Sequence, residues 1–242
     1  AFFKTEEARR VGDEILLFQR VTGGWPKNID MTRHLSMEET EQIRQDKGRR
    51  DDSTTDNNAT STQLKFLARL WQQTKDNKYR EGFGKGVEYL LSGQYDNGGW
   101  PQFWPRNRGY QVHITYNDDA MANTMLLLRD IADSKEPYQG KLVGKDLRRR
   151  AAKAFDKGVD CILKTQIISN GKPTVWCQQH DHVTLRPAYA RAYELPSYCS
   201  AESAALIHLL MSIPHPDEGI KRAVHGAMQW FDDHKITGYR YV

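Results

Sequence analysis

QRVTGGWP at residues 19–26 returns 75 residues later as QYDNGGWP at residues 94–101. A looser third copy begins at Gln166, passes through Gly171 and ends at Trp176. Each copy follows a stretch with apolar residues at helical spacing, so the chain repeats a unit of helices joined by a glycine-rich turn. Repeated helical hairpins predict an all-α fold, an (α/α) barrel or toroid with its long loops gathered at one end.

Length and composition favour one domain over two. The 242 residues are 38% hydrophobic and 10% aromatic, which suffices for a packed core, and no linker rich in Ser, Pro or Gly divides them. Long loops are expected over residues 25–55, 97–116 and 167–200, and loops of this length are usually functional. The charged segment 36–52 is the part of these loops that we expect to be flexible. We therefore expect residues 1–242 to form a single toroid domain.

Charge and hydropathy argue against two classes of partner. The 35 basic residues exceed the 31 acidic ones by only four, and the tight basic runs at residues 49–50 and 145–150 are typical of a solvated surface rather than of a nucleic-acid interface. The mean hydropathy is −0.75, and no apolar run approaches the roughly 18 residues of a membrane span. We expect no nucleic-acid partner, no membrane insertion and a monomeric protein.

Neither the cysteines nor the N-terminal sequence decides whether the protein is secreted or intracellular. Cys161, Cys177 and Cys199 show no metal-ligand spacing, and one disulfide with a free thiol or three buried thiols would both fit. No signal peptide precedes the first helical pattern, but a mature secreted domain would look the same.

Two polar clusters stand at the same phase of the repeat, each directly before a helix. They are DNNAT at residues 56–60 and YNDD at residues 116–119. One interpretation is N-capping, since Asn and Asp accept hydrogen bonds from free backbone N–H groups. The other is a cation site, because equivalent loops meet at one end of a toroid and carboxylates are the ligands of Ca²⁺.

A third cluster, WCQQHD at residues 176–181, contains neighbouring loop histidines. His180, Asp181 and His182 could suggest a transition-metal site, but we expect hydrogen-bonding groups there and a structural role for His113. Among the tryptophans, Trp71 and Trp230 lie on apolar helix faces and are assigned to the core. Loop tryptophans beside Gly and Pro either stack on a sugar or close a turn, and these are Trp25, Trp100 and Trp104.

The phrases in these loops resemble those of the family 10 polysaccharide lyases, which are pectate lyases. The matching phrases, in the order of that family, are GGWPKN (23–28), DNNAT (56–60), GGWPQ (98–102), TYNDDAM (115–121), WCQQHD (176–181) and ARAYELPS (190–197). The resemblance covers nearly the whole chain. It implies an (α/α) toroid that is secreted and cleaves polygalacturonate by Ca²⁺-assisted β-elimination. The family's catalytic module continues beyond the position of Val242, so the resemblance also predicts that the C-terminal part is missing.

The resemblance also implies roles for individual residues. Arg191 is implied as the base, with Arg186 as its nearest rival, and Asp56 as an essential acid beside the metal. Asp118 is implied as a Ca²⁺ ligand with Asp119 next to it. The residues expected to contact substrate are Asn57, Arg186, His180, Tyr193, Glu194, Trp100 and Trp104.

The chemistry of arginine leaves an alternative to the assignment of the base. A free guanidinium stays protonated in proteins, and Arg191 would lose its proton only where neighbouring positive charge favours the neutral form. Arg191 could instead only pair with a substrate carboxylate, with Glu194 as its partner or as the base.

Two other functions remain compatible with the sequence. An inverting glycoside hydrolase would need two carboxylates about 6.5–9.5 Å apart, for which Asp56 with Asp118 or Glu194 could serve. A non-catalytic carbohydrate-binding repeat would use its loop tryptophans for stacking and its acids only as helix caps.

Overall fold

The computed structural model describes residues 2–105 and 108–238, and this part of the chain is built from α-helices. The helices are α1 (Glu6–Phe18), α2 (Met37–Asp46), α3 (Ser61–Thr74), α4 (Asn77–Ser92), α5 (Ala120–Ala132), α6 (Lys145–Thr165), α7 (Ser200–Met211) and α8 (Glu218–His234). Four two-residue strands lie in the loops: β1 (Ile114–Thr115), β2 (Ile168–Ser169), β3 (Lys172–Pro173) and β4 (Gln179–His180). β1 pairs with β4 and β2 with β3, both antiparallel.

The helices form hairpins arranged in two layers. α3 packs against α4, α5 against α6 and α7 against α8. Within one layer α5 contacts both α3 and α7, and within the other α6 contacts both α4 and α8, while α1 packs on the first hairpin. The described helices do not close into a barrel, and their arrangement is that of an (α/α) toroid. The predicted fold class is therefore confirmed.

The tryptophan of each repeat copy fastens the turn to the helix before it. The indole N–H of Trp25 donates to the carbonyl of Ile15 at 2.7 Å, and all three rings are fully buried. Trp100 bonds to Leu90 at 2.7 Å and Trp176 to Ile162 at 2.8 Å. Each acceptor lies in the last turn or two of the preceding helix, so the indole also satisfies a carbonyl near the helix end.

The glutamine that opens each copy joins successive hairpins. Its side-chain amide donates one hydrogen bond within its own turn and a second to a neighbouring helix. The acceptors are Gly23 and Gly82 for Gln19, Gly98 and Ala154 for Gln94, and Thr174 and Ala223 for Gln166, at 2.7–2.9 Å. The repeat therefore sets the register of the toroid.

The second repeat copy requires glycine at position 98, because the backbone of α6 passes very close to it. Gly98 has φ +95°, and a Cβ there would lie 1.9 Å from the carbonyl oxygen of Lys157 on α6. The equivalent Gly23 has φ +93° and approaches Lys85 on α4 in the same way. Only a residue without a side chain lets the turn pass this near to the neighbouring helix.

The segment 36–52, expected to belong to a long loop, contains a helix. It holds α2, whose start is a capping box: the Ser36 hydroxyl accepts from the N–H of Glu39 at 3.1 Å, and Glu39 accepts from the N–H of Ser36 at 2.8 Å. Ile43 buries one face of the helix. The serine–glutamate spacing is a helix-start signature that outweighs the high charge of the segment.

The remaining expectations for the core are met in part. Trp71 is buried as predicted, whereas Trp230 packs against the core from a half-buried position and stacks on His234. Cys161, Cys177 and Cys199 are free, the first two buried and the third partly buried. Among the described residues, no helix is long and apolar enough to span a membrane.

Candidate active site

Two short 3-10 turns, residues 56–58 and 117–119, lie against each other at the loop end of the toroid. In both turns the backbone is left-handed at the last two residues: φ is 49° at Asn57, 61° at Asn58, 50° at Asp118 and 57° at Asp119. Asn and Asp tolerate this conformation better than other residues with a side chain. The two clusters are therefore equivalent, as their phase in the repeat predicted, but Asp118 corresponds to Asn57 rather than to Asp56.

Neither turn uses an acid as a helix cap. The residues at the N-cap positions of α3 and α5, Thr60 and Asp119, make no capping hydrogen bond with their side chains. Asp56 accepts its side-chain hydrogen bonds from Lys27 and Gln102 instead. The N-capping interpretation of the two clusters is therefore wrong.

Between the turns lies a polar cavity of about 180 Å³. Five of the predicted site residues line it, together with five that the sequence did not single out. The predicted ones are Asp56, Asn57, Asp118, Arg191 and Glu194, and the others are Lys27, Gln102, Tyr110, Asn117 and Gln179.

Asp56 is the most enclosed charge at this site, with 1% of its surface exposed. Its Oδ2 atom pairs with the Lys27 ammonium and accepts a 2.8 Å hydrogen bond from Gln102. Its Oδ1 atom is buried and has no hydrogen-bond partner. A buried carboxylate oxygen without a donor is costly unless a cation or another donor reaches it.

The two residues that bond to Asp56 occupy the same position in the repeat, and this position predicts them from the sequence. Lys27 follows Trp-Pro in the first repeat copy and Gln102 follows Trp-Pro in the second. Because the two copies fold alike, the same position delivers a donor to the same carboxylate from two hairpins. Comparing the residues just after each repeat would have identified both.

Asp118 faces Asp56 from the second turn. Loss of solvent contact raises the pKa of Asp118, and the nearby Asp56 carboxylate adds to the increase. Asn117 donates a 2.7 Å hydrogen bond to Asp118 Oδ2, and the pair of adjacent acids concentrates negative charge at the cavity floor. A cation would relieve this repulsion, and the donor set of carboxylate and amide oxygens is that of a hard divalent cation.

Arg191 and Glu194 form the opposite wall and belong to one closed turn. The guanidinium pairs with both carboxylate oxygens of Glu194, with Nε 2.8 Å from Oε2, and the Arg191 backbone N–H also donates to Oε2 at 3.0 Å. The hydrogen bonds that Arg191 donates to the Glu194 carboxylate raise the pKa of Arg191 above its usual value. Tyr193, which is exposed, places its ring 5.0 Å from the guanidinium carbon.

Two residues expected to contact substrate are buried and bonded within the fold, which argues against that contact. Trp100 is 1% exposed because its ring fastens the second repeat turn. His180 is 0% exposed: its Nε2 accepts from the N–H of Cys177 at 3.1 Å, and its Nδ1 lies 3.1 Å from the carbonyl of Leu185. Burial lowers the pKa of His180 to about 4, so it is a neutral structural residue.

Four further predicted residues lie outside the described lining of the cavity. Asp119, Arg186 and Tyr193 are exposed, and Trp104 is half-buried against the core beside Gly93. Tyr110 and Gln179, which do line it, are brought there by the β1–β4 pairing, which sets Thr115 opposite Gln179. Such long-range pairing of two-residue strands leaves no periodic signal in the sequence.

Comparison with known proteins agrees with this architecture. A family model described as pectic acid lyase matches residues 19–242. The family 10 polysaccharide lyase from Cellvibrio cellulosa, as a mutant in complex with trigalacturonic acid, is similar with a TM-score of 0.84 and 35% identity over 95% of this chain and 69% of that chain. Another structure of the family 10 lyase from this organism gives a TM-score of 0.83 and 36% identity over 93% of this chain and 66% of that one. No curated protein matches the sequence. The resemblance noted from the loop phrases is confirmed: the chain belongs to the pectic acid lyase family.

Proposed function

We propose that this protein is a pectate lyase that cleaves polygalacturonate by Ca²⁺-assisted β-elimination, with residues 1–242 acting as one catalytic domain. The supporting observation is the meeting of two carboxylates, Asp56 and Asp118, with a cation, Arg191, around one cavity. Trigalacturonic acid bound to the similar lyase from Cellvibrio cellulosa supports an acidic oligosaccharide as ligand. Because the polymer cannot enter a cell intact, we also propose that the enzyme is secreted, and that it acts as a monomer.

The residues at the cavity floor fit a calcium ion. Asp118 and the unpartnered Oδ1 of Asp56 would hold it, with oxygen ligands also offered by Asn57 and Asn117. Asn57 donates its amide N–H to Asn28, which leaves its carbonyl oxygen available. When bound, the ion would supply positive charge that stabilises a uronate carboxylate as it becomes enolate-like.

The reaction requires removal of the proton at C5, which is alpha to the uronate carboxylate. The electron pair of the C5–H bond forms the C4=C5 double bond, the C4–O bond breaks, and the departing oxygen takes up a proton from water. Arg191 is the proposed base. Its pairing with Glu194 opposes that role, because the pair stabilises the protonated guanidinium. We propose that substrate binding separates Arg191 from Glu194, and that the positive charge of Lys27 and of the bound Ca²⁺ would then favour the neutral form of Arg191.

The inverting hydrolase is the less favoured alternative. Its mechanism needs a water molecule between two carboxyl groups about 6.5–9.5 Å apart. Asp118 instead lies near enough to Asp56 for the Asp56 carboxylate to raise the pKa of Asp118. The non-catalytic binding module is disfavoured because the repeat tryptophans are buried rather than available for stacking.

The activity is tested by the ultraviolet absorbance of the unsaturated product on polygalacturonate, with and without EGTA. Elimination produces the conjugated bond, whereas hydrolysis releases reducing ends without that absorbance. We expect absorbance that EGTA abolishes and Ca²⁺ restores. Reducing ends alone would favour the hydrolase, and absorbance unchanged by EGTA would refute the role of calcium.

The base is tested separately with Arg191→Lys and Glu194→Gln. We expect Arg191→Lys to lose activity, and retention of full activity would exclude Arg191 as the base. Glu194→Gln removes the group that stabilises the protonated arginine, so kcat/KM should rise at a lower pH than in the unmodified enzyme. The matched control is Glu88→Gln, which breaks the same type of two-point pair with Arg150 on the helices away from the cavity and should leave the pH profile unchanged.

A further inference from the structure

A second group of metal-ligating side chains lies beside the active site: His113, Asp181 and His182. One ligand atom of each residue lies within 4.8 Å of the others, and all three residues are partly buried. The strand pairing explains why they meet. His113 directly precedes β1 and Asp181 directly follows β4, and the register sets Ile114 opposite His180. Two segments that are 68 positions apart in the sequence are thereby held side by side.

The ligand atoms of this group are free to bind. The Nδ1 atoms of both His113 and His182 are buried and have no hydrogen-bond partner. Asp181 uses only Oδ1 in its own loop, where it accepts from the N–H of Val183 at 3.0 Å and from the N–H and hydroxyl of Thr184 at 2.7 and 2.9 Å. Its Oδ2 atom lies 3.8 Å from His113 Nδ1, which is too far for a hydrogen bond. Each imidazole thus has an unpartnered nitrogen, and Asp181 has a spare carboxylate oxygen near that of His113.

The surroundings fix these side chains in position. The ring of Tyr95 lies over His182 with centroids 5.2 Å apart, and Tyr189 contacts the His113 ring edge-on at 6.1 Å. Asn97 donates a 2.7 Å hydrogen bond to the backbone carbonyl of His182. Oriented ligands lose less freedom when a metal binds, as is usual where outer contacts hold a metal site.

We propose that His113, Asp181 and His182 bind a divalent transition metal, of which Zn²⁺ is the best fit, with water as a further ligand. Imidazole nitrogen suits zinc and related metals, whereas calcium selects oxygen, so this site is distinct from the calcium site at Asp56 and Asp118. Two histidines and one carboxylate are a common zinc donor set. Binding draws the three atoms together from their present separation.

The consequence of this site is mechanical. The segment before His113 carries Tyr110, and the segment after His182 leads to Arg191, and both residues line the active-site cavity. A metal held between them fastens the two loops that form that wall. Metal binding here does not depend on which reaction the enzyme performs, because only the ligand geometry is required. This ligand set differs from His180, Asp181 and His182, which the sequence suggested: His180 is buried in hydrogen bonds, and His113 would supply the second imidazole.

The test is a competition titration of Zn²⁺ against a chromogenic indicator, with Ca²⁺ in excess so that the carboxylate site is occupied. We expect one Zn²⁺ per chain and a rise in Tm on binding. His113→Gln and Asp181→Asn should each weaken binding by at least about tenfold and abolish the rise in Tm. Asp181→Asn retains the Oδ1 acceptor for Val183 and Thr184, so its metal-free Tm should stay close to that of the unmodified protein. The matched control is His208→Ala on the exposed side of α7, which should bind as the unmodified protein does.

Results that count against zinc binding can be distinguished from results that count against the lyase activity. Absence of saturable Zn²⁺ binding by the unmodified protein overturns the proposal, as does undiminished binding by Asp181→Asn. Loss of binding in His208→Ala would place the zinc on surface histidines and would also overturn it. Failure of polygalacturonate cleavage, by contrast, would leave this result unaffected and would count only against the proposed lyase activity.

Discussion

Lys27→Met tests the charge balance on which the site depends. The substitution removes the ammonium group from the buried Oδ2 of Asp56 and leaves the 2.8 Å hydrogen bond from Gln102 in place. Removing one partner of a buried ion pair typically costs about 3–5 kcal/mol, but the Lys27 side chain is 31% exposed and water would partly replace it. We therefore expect a loss of about 2–3 kcal/mol in the free energy of unfolding, or about 4–12 °C in Tm for a chain of this size.

The measurement is thermal unfolding without divalent cations, followed by a double-mutant cycle. Lys27→Met with Asp56→Asn should be more stable than Lys27→Met alone, since the second substitution removes the uncompensated charge. Added Ca²⁺ should stabilise Lys27→Met more than the unmodified protein, because a cation would restore the missing positive charge. Lys221→Met is the control: it breaks an exposed 2.7 Å pair with Glu218 and should cost no more than about 1 kcal/mol.

Two results would refute this reasoning. One is a loss for Lys27→Met as small as that of the control. The other is a double variant no more stable than the single one, which would mean that the cost lies in lost packing and not in the charge of Asp56.

The raised pKa of Asp118 and the close backbone approach at Gly98 give two further predictions. Asp118→Asn should raise the Tm of the metal-free protein at pH 7, because a raised carboxyl pKa means that ionisation of Asp118 destabilises the folded state. The gain in Tm should disappear as the pH falls below the unfolded pKa of about 3.8. Ca²⁺ should stabilise the variant less than the unmodified protein. Gly98→Ala should lower the free energy of unfolding by about 2–4 kcal/mol in chemical denaturation, because it adds a clash with the backbone of α6 to the strain of a positive φ. Gly171→Ala, at φ +73° with open space around it, should cost only about 1 kcal/mol, and equal losses would contradict the steric explanation.

The fold was predictable because its determinants are local and repeated. Helical periodicity located the helices that build the hairpins, and the repeated phrase indicated that they are equivalent. The error at α2 was also local, since Ser36 and Glu39 carry a capping signature that the high charge of the segment obscured.

The site was predictable only where a residue sits in a phrase that the repeat or the family resemblance highlights. Asp56, Asp118 and Arg191 were singled out in this way, and the structure brings them to one cavity. Trp100 was misassigned because a loop position beside Gly and Pro does not show whether the ring points inward. Gln179 was missed because the partner of a two-residue strand cannot be read from the spacing of apolar residues.

The backbone at the two 3-10 turns shows how the fold makes its acids available. A conventional helix start would turn an Asp or Asn side chain onto the first free N–H groups, and such a cap typically stabilises a helix by about 1 kcal/mol. Neither α3 nor α5 has such a side-chain cap. The turns before these helices also carry the strain of left-handed residues such as Asn57 and Asp118. In exchange, the carboxylates of Asp56 and Asp118 face a cavity instead of a helix end. The repeat tryptophans bond each repeat turn to the helix before it, and the repeat glutamines bond it to a neighbouring helix, so hydrogen bonds brace the end of the fold that carries this strain. A ligand that supplies positive charge at the cavity floor would recover stability that the substrate-free fold gives up there, which ties binding at this site to the stability of the toroid.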